Sequence, residues 1–354
     1  MQRARVLKHC SRFALPLVAM SLTIPTARAD SCSTQTQIPA SQRQELSRVA
    51  RNIVGEVQSG NIQGLRSDTL AAVAADFGGI QTSAQTLAPL IQPATITVDA
   101  LFAFEAAQQP QGGVGSQFFC SAAGSPMTVV LNFSTLPPAK YALAIVHATG
   151  VPKPQQITLI LAQTPDNQWK LAGFFVKPMM LAGQNGLWYW SRARDYAQKN
   201  MDWDAWFYYQ TAAFLVSPAD FISSPNMDKL RGEADKVRPQ DLPLDKPITV
   251  KVSSSAFAVT KVDTSIELGP LDLAIHYSPN DTQATQLRDP VAARKQVIDL
   301  MAAMLALHPE LRTAFHGVYV YADAASATVF ALELPMDQIP NGATSTVTPG
   351  SAGQ

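Results

Sequence analysis

GLWYWSRARDYAQKNMDWDAWFYYQTAAFLVSP, residues 186–218, holds four of the five tryptophans and four of the eight tyrosines in a chain of 354 residues. Strand-like segments lie on both sides of it. The stretch reads as a helical hairpin between two modules that each combine helices and strands, so the expected fold class is α+β. Asp202 and Asp204 stand at the start of its second helix, where carboxylates complement the helix dipole.

Upstream, the chain opens as an export signal over residues 1–29. Arg3, Arg5, Lys8 and Arg12 precede a short apolar run, and Ala27-Arg28-Ala29 has the A-x-A form of a cleavage site. The apolar run is shorter than the roughly 20 residues a spanning helix needs. Cleavage removes five of the 27 basic residues and none of the 27 acidic ones, a net charge of −5 for the mature chain. That balance argues against nucleic-acid or anionic-membrane partners, which call for basic patches. No later stretch is apolar enough to span a bilayer. Cys32 and Cys120 survive cleavage, 88 positions apart. In an exported chain such a pair either forms a disulfide or remains as two free thiols.

The first module spans residues 40–178. Leu46, Val49, Ile53, Val54 and Val57 recur at helical spacing after Ser41, which reads as an N-cap. Further helices are expected over 67–77, interrupted by Gly78-Gly79, and over 83–91. From residue 94 the period changes. Strands are expected over 95–105, 116–122, 127–133, 141–149, 156–161 and 168–176, with Pro165-Asp166-Asn167 as the turn of the last hairpin. Helices followed by antiparallel strands ending in Trp169-Lys170-Leu171-Ala172-Gly173-Phe174-Phe175 resemble the nuclear-transport-factor-2-like (cystatin-like) cone. The resemblance implies a curved sheet wrapped on helices around an apolar pocket. The alternative is a β-sandwich.

The hairpin belongs to a segment of residues 183–236 that also includes a linker helix. It resembles a single degenerate tetratricopeptide repeat, with Ala193, Tyr196, Ala205, Tyr209 and Ala212 at the small and aromatic positions. A lone repeat cannot stand by itself, so it must pack on its neighbours. Pro239, Pro243 and Pro247 make a stiff linker. The last module, residues 247–336, reads β-β-β-α-β-β, its helix opened by Asp289-Pro290. Residues 341–354 are rich in Thr, Ser and Gly and are expected to be disordered. Taken together, the parts resemble secreted bacterial proteins of the cell envelope.

Catalytic signatures are missing from the sequence. There is no zinc-binding H-E-x-x-H, nucleophile elbow or P-loop, and no cofactor is implied. The Gly112-Gly113-Val114-Gly115 run follows Pro110 and reads as a loop. His308 and His316 are not spaced as a helical ligand pair. His147, in a strand, is the one candidate general acid or base, since its pKa lies near neutrality. Trp188, Trp190 and Trp206 are candidate binding residues, for exposed aromatics supply stacking surface. Two functions are therefore carried forward. One is an exported, non-enzymatic protein that binds a partner or a small apolar ligand. The other is an enzyme using a cone-shaped pocket with His147. Sequencing the N-terminus of the exported chain is expected to start at Asp30; a start at Met1 would show that the signal is retained as an anchor.

Overall fold

Leu46, Ala50, Ile53, Val54 and Val57 form the buried stripe of α1 (Ala40–Gln58). The computed structural model describes residues 32–106, 115–122, 127–243, 246–253, 255–325, 327–341 and 345–349. Residues 1–29, expected to be an export signal, and residues 112–114 of the glycine run lie outside the described residues. Pro39, not Ser41, takes the cap position of α1 and offers no side-chain bond. The helix expected over 67–77 lies earlier, as α2 (Ile62–Ser67), because the Asn61 side chain accepts from Gly64 N and starts it there. A single turn, α3 (Ala71–Ala74), follows. Gly78-Gly79 then opens α4 (Gly78–Ile91) instead of interrupting a helix. In a first turn the amides have no intrahelical partner in any case, so glycine is tolerated there.

Six strands fall where the period-2 pattern puts them: β2 (Thr95–Ala106), β3 (Ser116–Ser121), β4 (Thr128–Phe133), β5 (Ala139–Thr149), β6 (Gln155–Gln163) and β7 (Trp169–Pro178); β1 (Cys32–Thr34), which the sequence pattern does not mark, pairs with β2. Five of them make an antiparallel sheet in the order β1-β2-β5-β6-β7. Asn167 adopts φ 62° in the tight turn between β6 and β7, a conformation asparagine tolerates. Strand β5 shows how the sheet is used. Ala142, Ala144, Val146 and Ala148 pack with the helices, while Tyr141, Leu143 and Ile145 pack on the other side against β3 and β4. Burial on both faces explains its near-continuous apolar run. The module is thus helices on a five-stranded sheet on a smaller sheet, the second interface being sandwich-like.

A short ribbon, β8 (Met180–Leu181) with β9 (Gln184–Asn185), leads into the hairpin of α5 (Gly186–Gln198) and α6 (Asp202–Val216). Asn185 caps α5 by accepting from Trp188 N at 2.9 Å. Gly186 lets the helices approach: a Cβ there would sit 2.6 Å from Val216 Cγ1 and 3.0 Å from Leu215 Cβ. Ala193, Ala205 and Ala212 are fully buried. The chain returns to the first module through β10 (Ile222–Ser223), which pairs with β4, and then forms α7 (Pro225–Lys236).

The last module contains β11 (Ile248–Val252), β12 (Ser255–Ser265), β13 (Asp272–Ser278), α8 (Asp281–Gln286), α9 (Pro290–Leu307), α10 (Leu311–Ala314), β14 (Gly317–Ala324), β15 (Ala327–Pro335) and β16 (Ser345–Pro349). Asp289 caps α9 by accepting from Val291 N and Ala292 N. The sheet order is β15-β14-β13-β12-β11-β16, and the helices carry the crossover between parallel β13 and β14. Two expectations need correction. Helix α8 is an addition to β-β-β-α-β-β, built on a capping box between Asn280 and Gln283. Residues 345–349 of the tail expected to be disordered instead form β16, because the outer edge of β11 offers unpaired backbone groups that Ser345–Pro349 satisfies.

The cores show how the parts are joined. The hairpin, α7 and the last sheet share one core, from Tyr189 through Leu230 to Ile339. Leu242, Pro239 and Pro243 of the linker are buried, so that segment packs closely and does not act as a free spacer. A disulfide between Cys32 and Cys120 joins β1 to β3, and so ties the two sheets of the first module. Serine at either cysteine, or at both, should lower unfolding free energy by about 2–4 kcal/mol in a denaturant titration. Equal losses in the single and double variants are expected, since each removes the same cross-link.

Candidate functional site

The apolar face of the first module is not fully covered where the hairpin meets it. Phe102 on β2, Val129 on β4 and Ile145 on β5 form one wall of a cleft there. Leu187 and Trp190 on α5 and Met227 on α7 form the other. The cleft has a volume of about 280 Å³, with Ser224 and Asn226 at its polar margin. Leu187 is 67% exposed, which is unusual for a leucine on a helix this close to a core. The cleft is held in place from both sides. Thr158 Oγ1 of β6 donates to Pro218 O at 3.1 Å, and Lys177 of β7 meets Asp220 at 2.8 Å.

The ring of Trp190 is fixed by polar groups on its outer edge. Its Nε1 donates to Glu233 Oε2 at 2.7 Å. Arg194 grips both oxygens of the same carboxylate, at 2.7 and 2.8 Å, and its guanidinium lies 4.6 Å from the Trp190 ring. The Arg194 hydrogen bond holds the Glu233 carboxyl below its ordinary range, against the opposing effect of burial. Glu233 is therefore charged and in place at neutral pH.

The three tryptophans singled out from sequence do not form one surface. Trp190 alone lines the apolar cleft. Trp188 lines a second, polar cleft of about 330 Å³ with Arg192, Asp195, Tyr196, Tyr208 and Thr313. Trp206 is half-buried against the core of the last module, and the Arg238 guanidinium lies 5.6 Å from its ring. Spacing along two helices could not separate these environments, because each depends on what packs across from it.

His147 stands apart from the apolar cleft, whose lining does not include it. Its Nε2 lies 3.1 Å from Gln156 Oε1, its cross-strand neighbour. Asp99, displaced by the bulge between Val98 and Ala100, is 3.9 Å from Nδ1, beyond hydrogen-bond reach. Asp99 therefore does not orient the ring by a hydrogen bond, and the apolar cleft lies elsewhere.

Asp204 stands in the first turn of α6, as expected, but its environment was not: it is fully buried and neither carboxylate oxygen has a hydrogen-bond partner. Burial, reinforced by the negative charge of Glu310, pushes its pKa up to about 7. Around it, His308 stacks on Trp203 at 4.0 Å and sits 3.2 Å from Asp241, which also accepts from Trp203 Nε1 at 3.0 Å. The signal was available: Trp203, Ala205, Phe207 and Tyr208 flank this carboxylate in a largely apolar helix.

No protein-family model, curated protein or solved structure matches the chain.

Asp204 makes stability depend on pH with a defined sign. The native state holds this proton up to about pH 7, whereas the unfolded chain releases it near 3.8. Its contribution is therefore complete below about pH 4, falls as pH rises to 7, and changes no further above that. Asp204→Asn removes the titration. The variant should be more stable than the wild type at pH 8 by on the order of 2–4 kcal/mol, with the difference closing towards pH 4. Paired thermal melts across that range check this; a difference independent of pH would contradict it.

Proposed function

We propose that the chain is an exported, non-enzymatic binding protein that holds a small apolar ligand in the cleft between the first module and the hairpin. The carrying observation is the cleft itself: about 280 Å³, walled by Phe102, Val129, Ile145, Leu187 and Trp190, with a polar margin on one side. Ligand sites have this composition, predominantly apolar with a few polar groups to fix orientation. An apolar cavity of about 150 Å³ accepts benzene, so this one suits a ligand of about ten non-hydrogen atoms.

Export is supported by the basic and apolar N-terminus with its A-x-A site, and the Cys32–Cys120 disulfide fits an oxidising compartment. Among the described residues, no helix is long and apolar enough to cross a membrane. We also keep the likeness of residues 40–178 to the nuclear-transport-factor-2-like cone as a proposal. Helices α1 and α4 packed on one face of an antiparallel sheet support it, as do the bulges that bend β2 and β7. The small sheet covering the other face is an addition to that plan. The single-repeat reading of the hairpin rests on the burial of its three alanines.

The test uses N-phenyl-1-naphthylamine, an apolar probe whose fluorescence rises when it leaves water. Saturable binding to the purified mature chain is expected. Leu187→Asp and Trp190→Ala should each weaken it at least tenfold, about 1.4 kcal/mol, while Trp206→Ala leaves it unchanged. Leu187 is exposed, so its variant folds and keeps the test decisive. A linear, non-saturating signal, or equal effects of the Trp190 and Trp206 variants, would overturn the reading.

A further inference from the structure

The last module brings three metal-binding side chains together at one end of its sheet, far along the sequence from each other. Parallel pairing of β13 with β14 aligns their first residues, and β15 returns antiparallel beside β14. Asp272 is the first residue of β13, His316 directly precedes β14, and Glu333 lies near the end of β15. The His316 backbone is clamped on both sides: its N donates to Leu271 O, and its O accepts from Met336 N, both at 2.9 Å. One donor atom from each of the three side chains lies within 4.8 Å of the other two.

We propose that Asp272, His316 and Glu333 bind a divalent transition-metal ion, with zinc as the ion their chemistry fits best. Three observations converge. Glu333 Oε1 is closed off from solvent and has no hydrogen-bond partner. A carboxylate oxygen left in that condition is costly unless a cation joins it. Gly317 keeps the space above the carboxylates clear: a Cβ there would lie 2.5 Å from Glu333 Oε1 and 3.1 Å from Asp272 Oδ1. The His316 side chain is half exposed, giving an ion a way in and a water a place to coordinate.

The donor set selects the ion. An imidazole with two carboxylates suits zinc, whose sites with three protein ligands leave a fourth position open. Calcium and magnesium prefer oxygen alone. Without an ion, His316 Nδ1 lies 3.2 Å from Asp272 Oδ1, and the metal takes the place of that contact. This site is separate from the apolar cleft and does not depend on it.

Calorimetric titration of the purified, tag-free mature chain with zinc chloride tests the proposal. One zinc per chain is expected. His316→Ala and Glu333→Gln should each weaken binding at least tenfold, while His147→Ala leaves it unchanged. Thermal melts in chelator establish that the variants are folded. Cobalt in the wild-type protein provides a second reading that needs no variant: visible bands of a low-coordinate ion are expected. Zinc bound as tightly by His316→Ala as by the wild type, no heat of binding, or a cobalt spectrum of the hydrated ion would each overturn it.

Discussion

A largely apolar helix has to be surrounded, and α6 is such a helix. Trp203, Ala205, Phe207, Tyr208, Tyr209, Ala212 and Leu215 spread around most of its circumference and all are buried, which leaves Asp202, Gln210 and Phe214 exposed along one side. Helix α5, helix α7 and the sheet of the last module supply the surroundings, joined by contacts such as Tyr208 Oη donating to Ala314 O at 2.6 Å. Fully burying each large side chain stabilises by roughly 1.5–3 kcal/mol. That sum outweighs the cost of enclosing Asp204 without a partner. The core shared by the hairpin, α7 and the last sheet follows from this requirement.

The apolar cleft is a by-product of the same arrangement. Helix α5 turns its inner face to α6, and Gly186 lets their ends meet closely. Leu187 and Trp190 are then left on the side facing the first module. There the five-stranded sheet presents Phe102 and Ile145, with the small β10-β4-β3 sheet covering only part of that face. Cross-links at the edges, Thr158 to Pro218 and Lys177 to Asp220, hold the two sides in place without filling the space between them. A preformed, partly apolar gap of this kind loses little on binding, because its walls are already ordered.

Much of the fold could be read locally. Alternating β-branched and aromatic residues marked all six longer strands of the first module, and Asp289-Pro290 marked the start of α9. These signals are carried by neighbours in sequence. Long-range pairing was not legible. The strand Ser345–Pro349 has the Thr/Ser-rich composition of a loose tail and is ordered by the free edge of β11. The parallel match of β13 to β14 is what brings residues 272, 316 and 333 together, and no local pattern encodes it. The burial of Asp204 was missed for a related reason: a place in the first turn marks a carboxylate beside the helix dipole, but not what covers that turn. Of the candidate binding residues, Trp190 was placed at the cleft and Trp188 and Trp206 elsewhere, since helix periodicity assigns a face but not its neighbour.

If the hairpin and the last module form one core, they must open together. Hydrogen exchange read by mass spectrometry, at increasing denaturant below the main transition, measures this directly. Amides of α6 and of β13 and β14 should converge on a single opening free energy, with the same dependence on denaturant. Exchange of α6 through an earlier opening, while β13 and β14 stay protected, would contradict the account.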